Sequence, residues 1–168
     1  VDRMAYEGCP IGNLSSEFVY MPKDKGKEHY VDGTLSMDDY EVCALSGMYN
    51  AEGEGSIDAD MTLSRTPLLL LNGFVPDRLI HFKGYAQGEV KVKGSLSHPD
   101  VNGELYFDSA YVASDPYGVQ MRLCDDQLTI NNSRLQFENF QMFARNGNAL
   151  TLYGYFDFAN FDRMNTYL

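Results

Sequence analysis

The sequence predicts an all-β fold, an antiparallel meander of about ten strands with one short helical insert. Three observations predict it. Apolar and polar residues alternate with a period of two along most of the chain, which gives each segment one dry and one wet face. Turn-forming residues interrupt the alternation roughly every 8–12 residues. There are 12 Tyr and 10 Phe but no Trp, residue types suited to pleated, half-buried surfaces, and 15 Gly supply turns.

In chain order, residues 1–55 are the least regular: Phe18-Val19-Tyr20-Met21 and Tyr30-Val31 read as strands around a charged hairpin from Lys23 to Glu28. In Ser56–Leu63 every odd position is apolar and every even one polar. Thr66-Pro67 followed by four leucines and Asn72-Gly73 reads as a short helix, with Thr66 as N-cap and Pro67 at the first helical position. Its leucines are dense enough to plug something apolar, and a second turn is expected over Pro76–Ile80. Alternation resumes in Glu89–Lys93, Glu104–Asp108, Val119–Leu123, Leu128–Ile130, Arg134–Glu138, Leu150–Leu152 and Phe156–Phe158. Between Phe137 and Phe140 the parity slips by one, which predicts a bulge near Glu138-Asn139. Turns are expected at Asp32-Gly33, His98-Pro99-Asp100, Asn102-Gly103, Asp115–Gly118, Asp125-Asp126, Asn131-Asn132 and Asn146-Gly147. The organisation is thus N-terminal strands over 1–65, the insert over 66–83 and a repeat-type meander over 84–168.

Composition narrows the partners. With a net charge of −11 over 168 residues, the surface repels phosphate backbones and anionic membranes, so nucleic acid is not an expected partner. Cys9, Cys43 and Cys124 lie far apart with no C-x-x-C. One disulfide with a leftover thiol is open, and three free thiols is the favoured reading. No apolar run approaches the ~18 residues of a membrane helix. The chain opens on Val1 without a signal peptide and ends on Phe156-x-Phe158-x-x-Phe161, which reads as the start of a further strand. Both features read as an excerpt of a longer protein.

Residues 84–106 carry a recognisable line: Gly84, Gly88, Gly94, Pro99 and Gly103 spaced around Val90, Val92, Leu96, Val101 and Leu105. It resembles the G-x-a-x-G-x-v-x-v-x-G-t-l-x-x-P-x-l-x-G-x-l pattern of the TamB-type translocation and assembly module family. Tyr117-Gly118-Val119, Leu128-x-Ile130-x-Asn132, Leu135-x-Phe137 and Asn148-x-Leu150-x-Leu152-x-Gly154 are similar to the same family, as is Pro67-Leu68…Asn72-Gly73-Phe74 before Phe82-x-Gly84. The resemblance covers roughly residues 30–160. It implies an elongated, strongly curved antiparallel sheet, a β-taco, with an apolar inner face. It also implies an AsmA-like, periplasm-spanning protein anchored in the inner membrane, acting with an Omp85-type outer-membrane protein and conducting phospholipid.

An open apolar face ~20 Å wide on a sheet ~50 Å long would expose on the order of 1,000 Å², more than a soluble monomer normally shows. Leaving it bare would cost ~25 kcal/mol, so the face must be covered by itself, by the leucine segment, by a second copy of the isolated stretch, or by phospholipid acyl chains. Burying a sixteen-carbon chain is worth roughly 13 kcal/mol, so an apolar groove can carry lipid without chemistry. The groove candidates are Ile57, Met61, Leu63, Val90, Val92, Leu105, Phe107, Val119, Met121, Leu128, Ile130, Leu135, Phe137, Leu150, Leu152 and Phe156. Two alternatives remain, a scaffold that templates strands of outer-membrane or autotransporter clients at an open sheet edge, and a structural spacer. No catalytic, metal or cofactor site is expected. His29, His81 and His98 read as surface or turn residues, and Asp58 and Asp60 continue a solvated face rather than forming a metal pair. No catalytic or nucleotide-binding motif is present.

Overall fold

The computed structural model describes residues 3–6, 9–74, 80–95, 97–159 and 165–167. Among these the chain is all-β. A two-stranded hairpin pairs β1 (Met4–Tyr6) with β2 (Cys9–Gly12). Every later strand belongs to one antiparallel sheet: β3 (Leu14–Lys23), β4 (Glu28–Met37), β5 (Tyr40–Asn50), β6 (Ser56–Pro67), β7 (His81–Ser95), β8 (Pro99–Ser114), β9 (Val119–Leu123), β10 (Leu128–Asn131), β11 (Arg134–Ala144), β12 (Ala149–Asp157) and β13 (Asn165–Tyr167). From β3 to β8 each strand pairs with the next. β9 and β10 then share one position in the sheet, both lying between β8 and β11.

Turn chemistry explains the hairpins. Asp38 and Asp39 take φ of 47° and 67° between β4 and β5, and Asn132 and Ser133 take 50° and 58° between β10 and β11. Two consecutive residues at positive φ give the turn twist that matches antiparallel strands. The buried Ser133 hydroxyl donates to Pro99 O at 2.7 Å and accepts from Val101 N at 2.9 Å, which ties this turn to β8.

Two expected turns are absent. Asp32-Gly33 lies inside β4 and Asn102-Gly103 inside β8. Gly33 is opposite the Phe18 ring, and a Cβ at Gly103 would collide with the Glu89 carbonyl of β7. Each glycine serves close packing within the sheet rather than chain reversal. The N-cap expectation is also corrected. Thr66 and Pro67 finish β6, and the Thr66 hydroxyl donates to Val42 O of β5 instead of capping. The chain then enters a 3₁₀ segment, Leu68–Phe74. This segment does supply an apolar plug, since Leu68 is buried in the main cluster. The buried Asn72 side chain bonds Phe82 N and O at 2.7 and 3.1 Å, closing the segment onto β7. The expected second turn lies outside the described residues except for Ile80.

The bulge expected near Asn139 is present: β11 shifts register between Glu138 and Phe140, and Asn139 has φ of 61°. Three more occur in the large sheet, with β5 shifting against β4 around Val42, β6 against β7 around Arg65 (φ 54°) and β8 against β7 around Ser109 (φ 51°). Each bulge bends its strand. The main cluster, Leu68, Ala86, Ala110, Leu123, Cys124, Leu128 and Phe140, with the side chains packed against it, takes residues from both sides of the bulges at Arg65, Ser109 and Asn139. A second cluster joins Val90, Val101 and Ile130.

Candidate functional site: the apolar face of the sheet

Directly opposed residues in an antiparallel sheet share a face, so the register assembles the site. One row runs Phe18, Gly33, Leu45, Met61, Val90, Gly103, Ile130, Leu135 and Phe156, across eight consecutive pairings from β3 to β12. The next row runs Leu35, Cys43, Leu63, Gly88, Leu105 and Leu128. On the other side lie Val31, Gly47, Ala59, Val92 and Val101. Glycines punctuate the rows where backbones approach closely, as at Gly88, whose added Cβ would strike the Glu104 carbonyl.

The register places all the groove candidates on this face. Ile57, Met61 and Leu63 come from β6, Val90 and Val92 from β7, and Leu105 and Phe107 from β8. Met121, with Val119 two residues before it, opposes Val112, and Leu128 and Ile130 continue the same sheet position. Leu135 and Phe137 precede the Asn139 bulge, while Leu150, Leu152 and Phe156 oppose Met142, Phe140 and Leu135. Burial separates them. Leu128, Val90 and Ile130 are in the core, whereas Val119 and Leu150 are 47% and 48% exposed. Both lie at strand ends beside the 115–118 and 145–148 turns, outside the two buried clusters. Val101, Ala110, Leu123 and Phe140, which are not among the groove candidates, are buried on the same face. The bulge at Ser109 hid Ala110 by shifting its parity.

Over β6 and β7 the opposite face is polar and paired. Lys91 meets Asp60 at 2.8 Å and Lys93 meets Asp58 at 3.0 Å, each opposed in register. Asp58 and Asp60 are thus each paired with a lysine across the strands. Arg134 bridges to Asp157 at 2.9 Å and, with the Ala159 N–H, holds that carboxyl below its usual range. A depression of about 790 Å³ lies between β6, β7 and β8, lined by Asp60, Thr62, Glu89, Lys91, Glu104 and Tyr106.

His29 departs from its expected surface position. It opposes Tyr49 on the apolar face, is buried, and stacks between Tyr20 at 4.8 Å and Tyr49 at 6.0 Å, with Nδ1 lacking a partner. His81 approaches Asp115 at 3.6 Å and His98 lies exposed beside Ser97, so the three histidines do not converge. Cys43 and Cys124 are free thiols, and burial with nearby Glu41 pushes the Cys43 thiol up. No helix among the described residues is long and apolar enough to cross a membrane. No protein-family model, curated protein or solved structure matches this chain.

Proposed function

We propose that the apolar face is an acyl-chain surface and that the chain is a segment of a TamB-type envelope protein conducting phospholipid between membranes. The observation that supports this is the row from Phe18 to Phe156, which carries no polar side chain over eight consecutive strand pairings. A sheet stabilised only by its own core needs no such continuity at its edge. Acyl chains are held by area rather than by specific contacts, and aliphatic and aromatic side chains at alternate positions supply that area. The strong curvature of a β-taco belongs to this reading, as do a periplasmic location and an Omp85-type partner reached through the longer protein. Here the chain performs no chemistry; its role is to lower the barrier for a lipid tail to leave one membrane.

Mass spectrometry of lipid co-purified with the protein tests the reading. Phospholipid at near one copy per chain, lost in Leu45→Arg with the far-UV circular dichroism unchanged, is the expected result. Protein that purifies free of lipid and does not take it up from phospholipid vesicles overturns it. A second reading, a scaffold for client strands, draws on the exposed run Phe18–Met21 of β3.

A further inference from the structure

We infer that β3 is a self-association edge, on which a second copy of this chain pairs antiparallel about a two-fold axis at Tyr20. Among the described residues β3 ends the sheet. Asp38 N donates to Asn13 O at 2.9 Å, so Asn13 turns its carbonyl toward β4. β3 pairs with β4 without a register shift, and every second residue, through Ser15, Glu17, Val19 and Met21, points its backbone inward in the same way. Ser16, Phe18 and Tyr20 therefore turn N–H and C=O outward. Pro22 falls in this outward set, where a residue without an N–H leaves the β4 ladder intact.

This edge lacks the usual protection. Phe18, Val19, Tyr20 and Met21 are consecutive and 46–64% exposed, covering both faces of the strand. Natural edges are blunted by charge, proline, bulges or brevity; Pro22 directly follows the run, and none of these interrupts it. Charge does appear at its two ends, with Glu17 before the run and Lys23 after it. With Tyr20 on the dyad, Val19 opposes the partner's Met21 and Glu17 opposes the partner's Lys23, while Phe18 opposes the partner's Pro22, whose carbonyl accepts from the Phe18 N–H but which has no N–H to give in return. Registers centred on Phe18 or Val19 leave both charges without an opposite sign. The charge complement thus selects a second copy of this chain over an arbitrary strand. A dyad perpendicular to the sheet keeps both apolar faces on one side, so the rows on the two copies become contiguous. The pairing does not depend on lipid binding.

Sedimentation equilibrium over a concentration series tests it with four proteins: wild type, Glu17→Lys, Lys23→Glu, and the double exchange. Each single change sets like charges against each other twice per dimer and should weaken association about tenfold or more. The double exchange should restore wild-type association. A wild type that stays monomeric, single variants that associate as well as wild type, or a double exchange that fails to recover would each overturn the proposal. Association only with extended peptides of other sequence would assign the edge to a client strand instead.

Discussion

Leu128 and Leu45 sit on the same face of the same sheet, yet one is 2% exposed and the other is only half-buried. The difference belongs to their regions. From β7 to β12 the face carries two clusters of buried residues, fed by Leu68 from the 3₁₀ segment and by strands bent at Ser109 and Asn139, with β6 bent at Arg65 beside them. No described residue of β3, β4, β5 or β6 is among the buried members of either cluster. One apolar row runs unbroken through both regions, so parity encodes which face a side chain takes and not whether that face is covered. Covering needs a second layer, here a leucine plug and three bends. We read the first region as the open, ligand-accepting part and the second as the part that keeps the sheet folded.

The largest expected effect comes from that contrast. Leu128→Ala empties a site enclosed on all sides and should cost about 2–5 kcal/mol in urea unfolding, whereas Leu45→Ala should cost about 1 kcal/mol. Equal losses would erase the distinction between the regions. Ser133→Ala comes next, at about 1–3 kcal/mol, because it strands the buried Val101 N–H and Pro99 carbonyl. The same chemical denaturation checks it, and a loss near zero would mean that water reaches this turn. Thr66→Val removes the hydroxyl bond joining the end of β6 to the β5 bulge at Val42. Its expected cost is about 0.5–1.5 kcal/mol, with faster amide exchange in β5 than in β8.

The smallest effect is electrostatic. Asp157 titrates below its usual range in the folded chain, first because of Arg134. Its contribution is present above the ordinary carboxylate pKa of about 3.9 and is lost as pH falls through the lower folded value. Arg134→Gln should therefore lower the urea midpoint at neutral pH and leave a smaller difference at about pH 3. A difference that is constant with pH would assign the loss to packing of Arg134 on the Tyr155 ring, which it approaches at 5.0 Å.

Much of this was legible in the residues. Fold class, the face taken by each groove candidate, and the Asn139 bulge all follow from parity, because side-chain direction alternates obligatorily in a strand. The other three bulges, at Val42, Arg65 and Ser109, were not legible. At Ser109 the sequence Phe107-Asp108-Ser109-Ala110-Tyr111-Val112 reads equally well in either parity, since Tyr111 passes for an apolar residue. The Asp32-Gly33 and Asn102-Gly103 pairs carry turn chemistry that strand pairing overrides, at Gly103 with no room left for a Cβ beside the Glu89 carbonyl and at Gly33 with the Phe18 ring lying against the glycine. His29 follows a charged hairpin and so resembles a solvent residue, but its parity places it between two tyrosines. Burial depends on contacts far along the chain, and alternation does not specify them.

If the proposed function holds, the apolar face over β5 and β6 accepts acyl chains while the reverse face does not. Met61 and Thr62 are adjacent in β6 and face opposite ways. A photo-reactive phenylalanine analogue at either position, irradiated with phosphatidylethanolamine–phosphatidylglycerol vesicles and read by mass spectrometry, compares the two faces in one strand. An acyl-chain surface predicts phospholipid adducts at position 61, and likewise at Leu45, with none at position 62. Equal labelling of positions 61 and 62, or no adduct at position 61 in folded protein, would contradict it.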